Sequence, residues 1–172
     1  WANNVNLWNW ALVEYPQSTD AMNNLLSAYI EAKDYPHARG LIDRVQSRHL
    51  DCVNCMLNAA ILAIAEQDPA RAAAALEIVR HSKKLTYDKD LYHSYLLATG
   101  RMLTMQGHLG DAVQVLRAAV DVAPYDPQPR LSLAVALALQ GKKAEALAMG
   151  EPAIAASAST QPSSASRSLL SG

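Results

Sequence analysis

The chain has no run of about 18 or more apolar residues, so direct insertion of this fragment into a bilayer is not expected. It also lacks an excess of charge of either sign. The formal net charge is -1, and the lysines and arginines are scattered instead of forming a stripe interleaved with aromatics. Such a surface does not neutralise a phosphate backbone, so nucleic acid is not the expected partner. Two cysteines, Cys52 and Cys55, are too few for a disulfide scaffold. There is no initiator methionine and no charged-then-apolar leader, and a piece of something longer is the expectation. Alternation of apolar and polar residues, the mark of strands, is missing. His37, His81, His93 and His108 lie far apart near turns and helix ends, with no Ser-His-Asp or Cys-His grouping. No enzymatic chemistry and no cofactor are implied.

What is present is enough apolar residue, 51% of 172, to build one domain's core. It is arranged as a repeat. The stretch from Gly100 to Pro124 reads as two short helices with a turn at Gly107 to Gly110, its small residues set where helix axes must approach closely. Gly100, Gly107, Ala112 and Ala119 recur 34 residues later as Ala134, Gly141, Ala146 and Ala153. Toward the N-terminus Ala60, Ala72, Leu76 and Val79 fill the corresponding places, then Leu26, Tyr29, Ala38, Ile42 and Val45. Units therefore begin near Thr19, Val53, His93 and Pro127, spaced 34, 40 and 34 residues apart, and run to residue 154.

The longer spacing is an insertion around residues 80–92, where Lys83, Lys84, Asp88, Lys89 and Asp90 mark a solvated connection. Residues 1–15 read as the second helix of a truncated unit, closed by Pro16, with Trp1 and Trp8 on a face that no upstream helix covers. Asp68 before Pro69, Asp34 before Pro36, and Asp111 after Gly110 read as helix starts. Residues 155–172 shift to Ser, Ala and Thr and are expected to form a flexible tail.

A 34-residue helix-turn-helix unit with Gly or Ala in its first helix, Ala, an aliphatic and Ala in its second, and Pro at its exit resembles the tetratricopeptide repeat family. Gly100, Ala112, Leu116, Ala119 and Pro124 carry the likeness best, while Met22, Met56, Leu96 and Arg130 replace the signature tryptophan. The resemblance implies an all-α, right-handed superhelical stack of antiparallel helix pairs. It also implies a non-enzymatic scaffold that holds a protein or peptide in a concave groove lined by the first helix of each unit. A narrower likeness lies in Trp1 to Trp10, Pro16 and Asn23-Asn24-Leu25. It is similar to the junction at which polytopic membrane proteins of glycosyltransferase type enter a C-terminal repeat domain, which implies the soluble, extracytoplasmic part of a membrane-bound protein.

In the register of the resemblance the groove residues are Asn23, Asn24, Ser27, Asn54, Leu57, Asn58, Leu97, Arg101 and Leu131. Asn24 and Asn58 occupy equivalent places, and an Asn amide both donates to and accepts from one peptide unit. Arg101 is the one cation in that register, too few for a clamp on a C-terminal carboxylate. An alternative is self-association, a homodimer through Trp1 and Trp8. Cys52 and Cys55 read as a local disulfide if the domain is exported, or as two packed thiols if it is not. A thiol-redox or metal role for the pair is the third reading, with His49 bringing the local ligands to three of the four that a metal site needs.

Overall fold

Most of the helices start where a short polar side chain can accept from a backbone N–H left over in the first turn. Ser18 Oγ accepts from Ala21 N at 3.2 Å, and Asp68, Asp88 and Asp126 each accept from a first-turn N–H at 2.9 Å. Pro36, Pro69 and Pro127 stand in first turns, where a missing N–H costs nothing. In the computed structural model these starts give α1 (Ala2–Glu14), α2 (Thr19–Glu31), α3 (Tyr35–Ser47), α4 (Val53–Ala65) and α5 (Pro69–Arg80). A 3-10 turn (Lys83–Thr86) follows, then α6 (Lys89–Met105), α7 (Leu109–Val122), α8 (Pro127–Leu139) and α9 (Lys143–Thr160). The structure describes residues 2–160, with side chains described for 4–152. Trp1 and residues 161–172 lie outside them, and α9 extends to Thr160, into the segment expected to be a tail.

One helix start differs from expectation. Asp111 does not cap α7; His108 holds the N-cap position without a side-chain bond, and Asp111 lies in the first turn, where its charge favours the helix dipole. The reason is the turn before it: Gly107, at φ 78°, ends α6 so tightly that α7 begins two residues before Asp111.

The turn inside each helix pair is built one way throughout. Lys33, Gln67, Gly107 and Gly141 all have left-handed backbone, with φ of 60°, 59°, 78° and 86°. The residue after each donates its N–H back across the turn, from Asp34 to Tyr29 O, Asp68 to Ala63 O, His108 to Leu103 O and Lys142 to Leu137 O. These are the closing bonds of a left-handed helix cap. Among the described residues the architecture is an all-α helical repeat solenoid.

Packing follows the small residues. Ala38, Ala60, Ala72, Ala112, Ala119 and Ala136 are wholly buried. A Cβ added at Gly100 would lie 2.4 Å from Leu116 Cγ, so bare backbone at that point lets α6 and α7 meet. One apolar cluster runs from Leu12 of α1 to Met102 of α6, and a second, from Ala112 to Ala146, joins α7, α8 and α9. Leu85 of the insertion packs onto the first cluster while Lys83 and Lys84 stay in water. No described helix is long and apolar enough to cross a membrane.

Candidate peptide-binding groove

The helices form two layers. Consecutive members of α2, α4, α6 and α8 pack on one another, whereas α3, α5, α7 and α9 pack chiefly on helices of that first layer. The layer whose members touch is the inner one, so the array curves about α2, α4, α6 and α8.

Between α2 and α4 the inner surface is bridged by amides. Asn58 Nδ2 donates to Asn23 Oδ1 at 2.8 Å and to Ser27 Oγ at 3.0 Å. Both N–H bonds of Asn58 are thus engaged, leaving its carbonyl oxygen and the Asn23 amide nitrogen as the acceptor and donor at this point. The structure brings Asn23, Ser27 and Asn58 together. Asn24 is half-buried and its side chain makes no hydrogen bond among the described residues, so it does not repeat the role of Asn58. Asn54, also half-buried, sits at the first turn of α4.

At Leu57 of α4 an expectation is corrected. Leu57 is only 7% exposed and belongs to the first core cluster, so it offers no contact to a ligand. It lies on α4, which packs against both α2 and α6. Leu97 packs half-buried against the second cluster, and Leu131 of α8 is half-buried.

Between α6 and α8 lies the second polar bridge. Arg101 Nε donates to Ser132 Oγ at 2.9 Å, and Nη2 donates to Gln128 Oε1 at 2.8 Å. Burial pulls the Arg101 pKa below the usual guanidinium value while the nearby Asp126 charge opposes the shift. The group stays protonated at any physiological pH. Its bonded partners are neutral, so a half-buried positive charge is fixed at a defined place and no carboxylate bonds to it among the described residues.

Not evident in the sequence is the approach of His93 to Asp126, whose Nε2 and Oδ2 lie 3.4 Å apart beside this bridge without a hydrogen bond. Its one signal is positional: His93 opens one unit and Asp126 caps the next, and equivalent ends of neighbouring first helices meet.

The other expected residues fall away from this surface. Cys52 and Cys55 are joined as a disulfide at the start of α4, where the Cys52 sulfur accepts from Cys55 N at 3.2 Å. In that state neither sulfur is a thiolate for redox attack or metal binding. No group of three or more His, Cys, Asp or Glu suited to a metal occurs among the described residues. Trp8 does not lie on a bare face: it packs half-buried against the first cluster with Val5 and Ala11. Two residues on, across the helix, Trp10 is 61% exposed, with Leu7 and Val13 beside it in sequence register. Trp1 lies outside the described residues.

The model of the tetratricopeptide repeat family matches residues 57–127 and 106–159, together more than half of the chain. The chain belongs to the tetratricopeptide repeat family. No curated protein matches it. Tetratricopeptide repeats generally bind proteins or peptides and are typically non-enzymatic, which fits a scaffold whose inner surface carries hydrogen-bonding groups and one fixed charge.

Proposed function

We propose that this tetratricopeptide array is a non-enzymatic module that holds an extended polypeptide along α2, α4, α6 and α8. The observation that carries the reading is Arg101, a cation fixed on the inner face by neutral acceptors only. The Asn23–Asn58 bridge supplies a side-chain acceptor and donor for a peptide backbone at the other end of the same face. Leu97 and Leu131 supply apolar contact between and beyond them. Nucleic acid is not the partner in this reading, and no cofactor takes part.

The test begins with peptides selected on the protein from a random library. Arg101→Gln should weaken the selected peptides about tenfold or more, since hydrogen bonds to a charged group are worth roughly 1.5–3 kcal/mol. Asn58→Ala should weaken them roughly fivefold, the worth of one neutral bond. Affinities unchanged by both substitutions would remove the groove reading.

The domain is further proposed to be the soluble, extracytoplasmic part of a membrane-bound protein. The disulfide supports an oxidising compartment. Alkylation of the protein taken from its native cell checks this: free thiols at Cys52 and Cys55 would contradict it.

A second reading is self-association through α1. It is favoured by Leu7, Trp10 and Val13, three exposed apolar side chains on one short helix. Light scattering should then give a dimer that Trp10→Glu converts to a monomer. A monomeric parent, or a variant that stays dimeric, removes the reading.

A further inference from the structure

The insertion does more than lengthen a connection. Together with the start of α2 and the turn between α3 and α4 it lines a cleft of about 680 Å3. That size lies within the range of roughly 300–1,000 Å3 typical of ligand sites. The cleft is continuous with the inner face, because Asn23 and Asn54 line it too.

Its charges are segregated by element. The insertion contributes Lys83 and Lys84; the start of α2 and the turn between α3 and α4 contribute Asp20 and Asp51. None of these four side chains takes part in an ion pair among the described residues, although arginine–carboxylate pairs such as Arg39–Glu66, Arg71–Asp68 and Arg117–Glu145 occur elsewhere. Each group also carries one histidine, His49 with the aspartates and His81 with the lysines. The exposed Ile78 and Tyr87 also line the cleft and offer apolar surface to a chain lying in it. Opposite charges that line one cleft without pairing are complementary to a ligand that brings both signs. A ligand of a single sign would meet repulsion from one group.

We infer that this cleft is a second binding site, for a polypeptide segment carrying an acidic side chain toward Lys83 and Lys84 and a basic side chain toward Asp20 and Asp51. The inference rests on the groove reading for the class of ligand, and it extends that groove past α4 into the insertion. The acidic residue and the basic residue of the bound segment each meet one charge group, and Tyr87 and Ile78 cover the chain.

The experiment uses fluorescein-labelled, end-capped peptides of equal length: one mixing glutamates and lysines, one with glutamates only, one with lysines only. Fluorescence anisotropy at low salt should show the mixed peptide bound most tightly. K83E/K84E should weaken it about tenfold, the sum of several exposed charge contacts. K83Q/K84Q should weaken it less, and adding D51K to K83E/K84E should restore part of the loss by reversing charge in both groups. Circular dichroism confirms that each variant is folded. Single-sign peptides binding as tightly as the mixed one, no binding of the mixed peptide, or indifference to K83E/K84E would overturn the site. If Arg101→Gln weakens the selected groove peptides while K83E/K84E leaves the mixed peptide untouched, the cleft fails and the groove stands. The reverse pattern leaves the cleft and removes the groove.

Discussion

Lys33 and Gln67 occupy left-handed backbone that Gly107 and Gly141 occupy in the later units. An L-residue there costs roughly 1–2 kcal/mol, while glycine costs roughly 0.5–1 kcal/mol in unfolded-state entropy, so the balance favours glycine. Gln67→Gly is expected to stabilise by roughly 0.5 kcal/mol, read as a higher urea midpoint at unchanged slope. At Gly100 the sign reverses. Alanine gains about 1 kcal/mol of helix propensity but places Cβ against Leu116 Cγ and Cδ2, at 2.4 and 2.6 Å, in a fully buried side chain that cannot retreat. Overpacking costs about 1–3 kcal/mol, so Gly100→Ala should lower the midpoint, and less so in a Leu116→Val background.

Individual residues were legible where the backbone dictates them and illegible where neighbouring helices do. Gly100 and the buried alanines could be read from spacing because a close helix crossing admits few residue types. Leu57 could not, because its register place says which way it points and nothing of what covers it. The two N–H bonds of Asn58 are spent on residues 35 and 31 positions away, on another helix, and the sequence does not state the rotation that aligns them. Trp8 and Trp10 are two residues apart, and only the packing of α1 on α2 decides which one meets solvent.

Among the elements, α5 shows how charge is tied to helix ends. The Asp68 carboxyl is held below its ordinary value of 3.8, chiefly by the Arg71 backbone N–H, and Glu77 below 4.5, chiefly by the Arg80 guanidinium. Groups with depressed folded pKa values contribute stability that is complete above the ordinary values and is lost as pH falls through the folded ones. The urea midpoint should therefore hold down to those ordinary values and decline below them. Asp68→Asn with Glu77→Gln should flatten that acid limb; an acid limb as steep as in the parent would show that other carboxylates carry it. At α6 the partly buried cap Asp88 accepts from Leu91 N at 2.9 Å, and Asp88→Ala should cost about 1 kcal/mol. Caps of this kind were visible in the sequence at Asp68 and Pro69. At Asp111 the expectation failed because the tight turn at Gly107 set the helix start first.

For the whole molecule, the all-α repeat fold was legible because the same residues return at a fixed spacing and each unit can bury its apolar side only against the next. The chemistry of the inner face was only partly so. Its register residues were named, yet the bridges that fix Asn58 and Arg101 arise between units and appear only when the units are stacked. The central claim is that the inner layer is the binding surface. The measurement that tests it most directly is chemical-shift mapping of a library-selected peptide on the isotopically labelled protein. Perturbed amides are expected along α2, α4, α6 and α8, centred on Asn58 and Arg101, with the amides of α3, α5, α7 and α9 unmoved. Perturbations confined to the outer helices, or to α1, would contradict it.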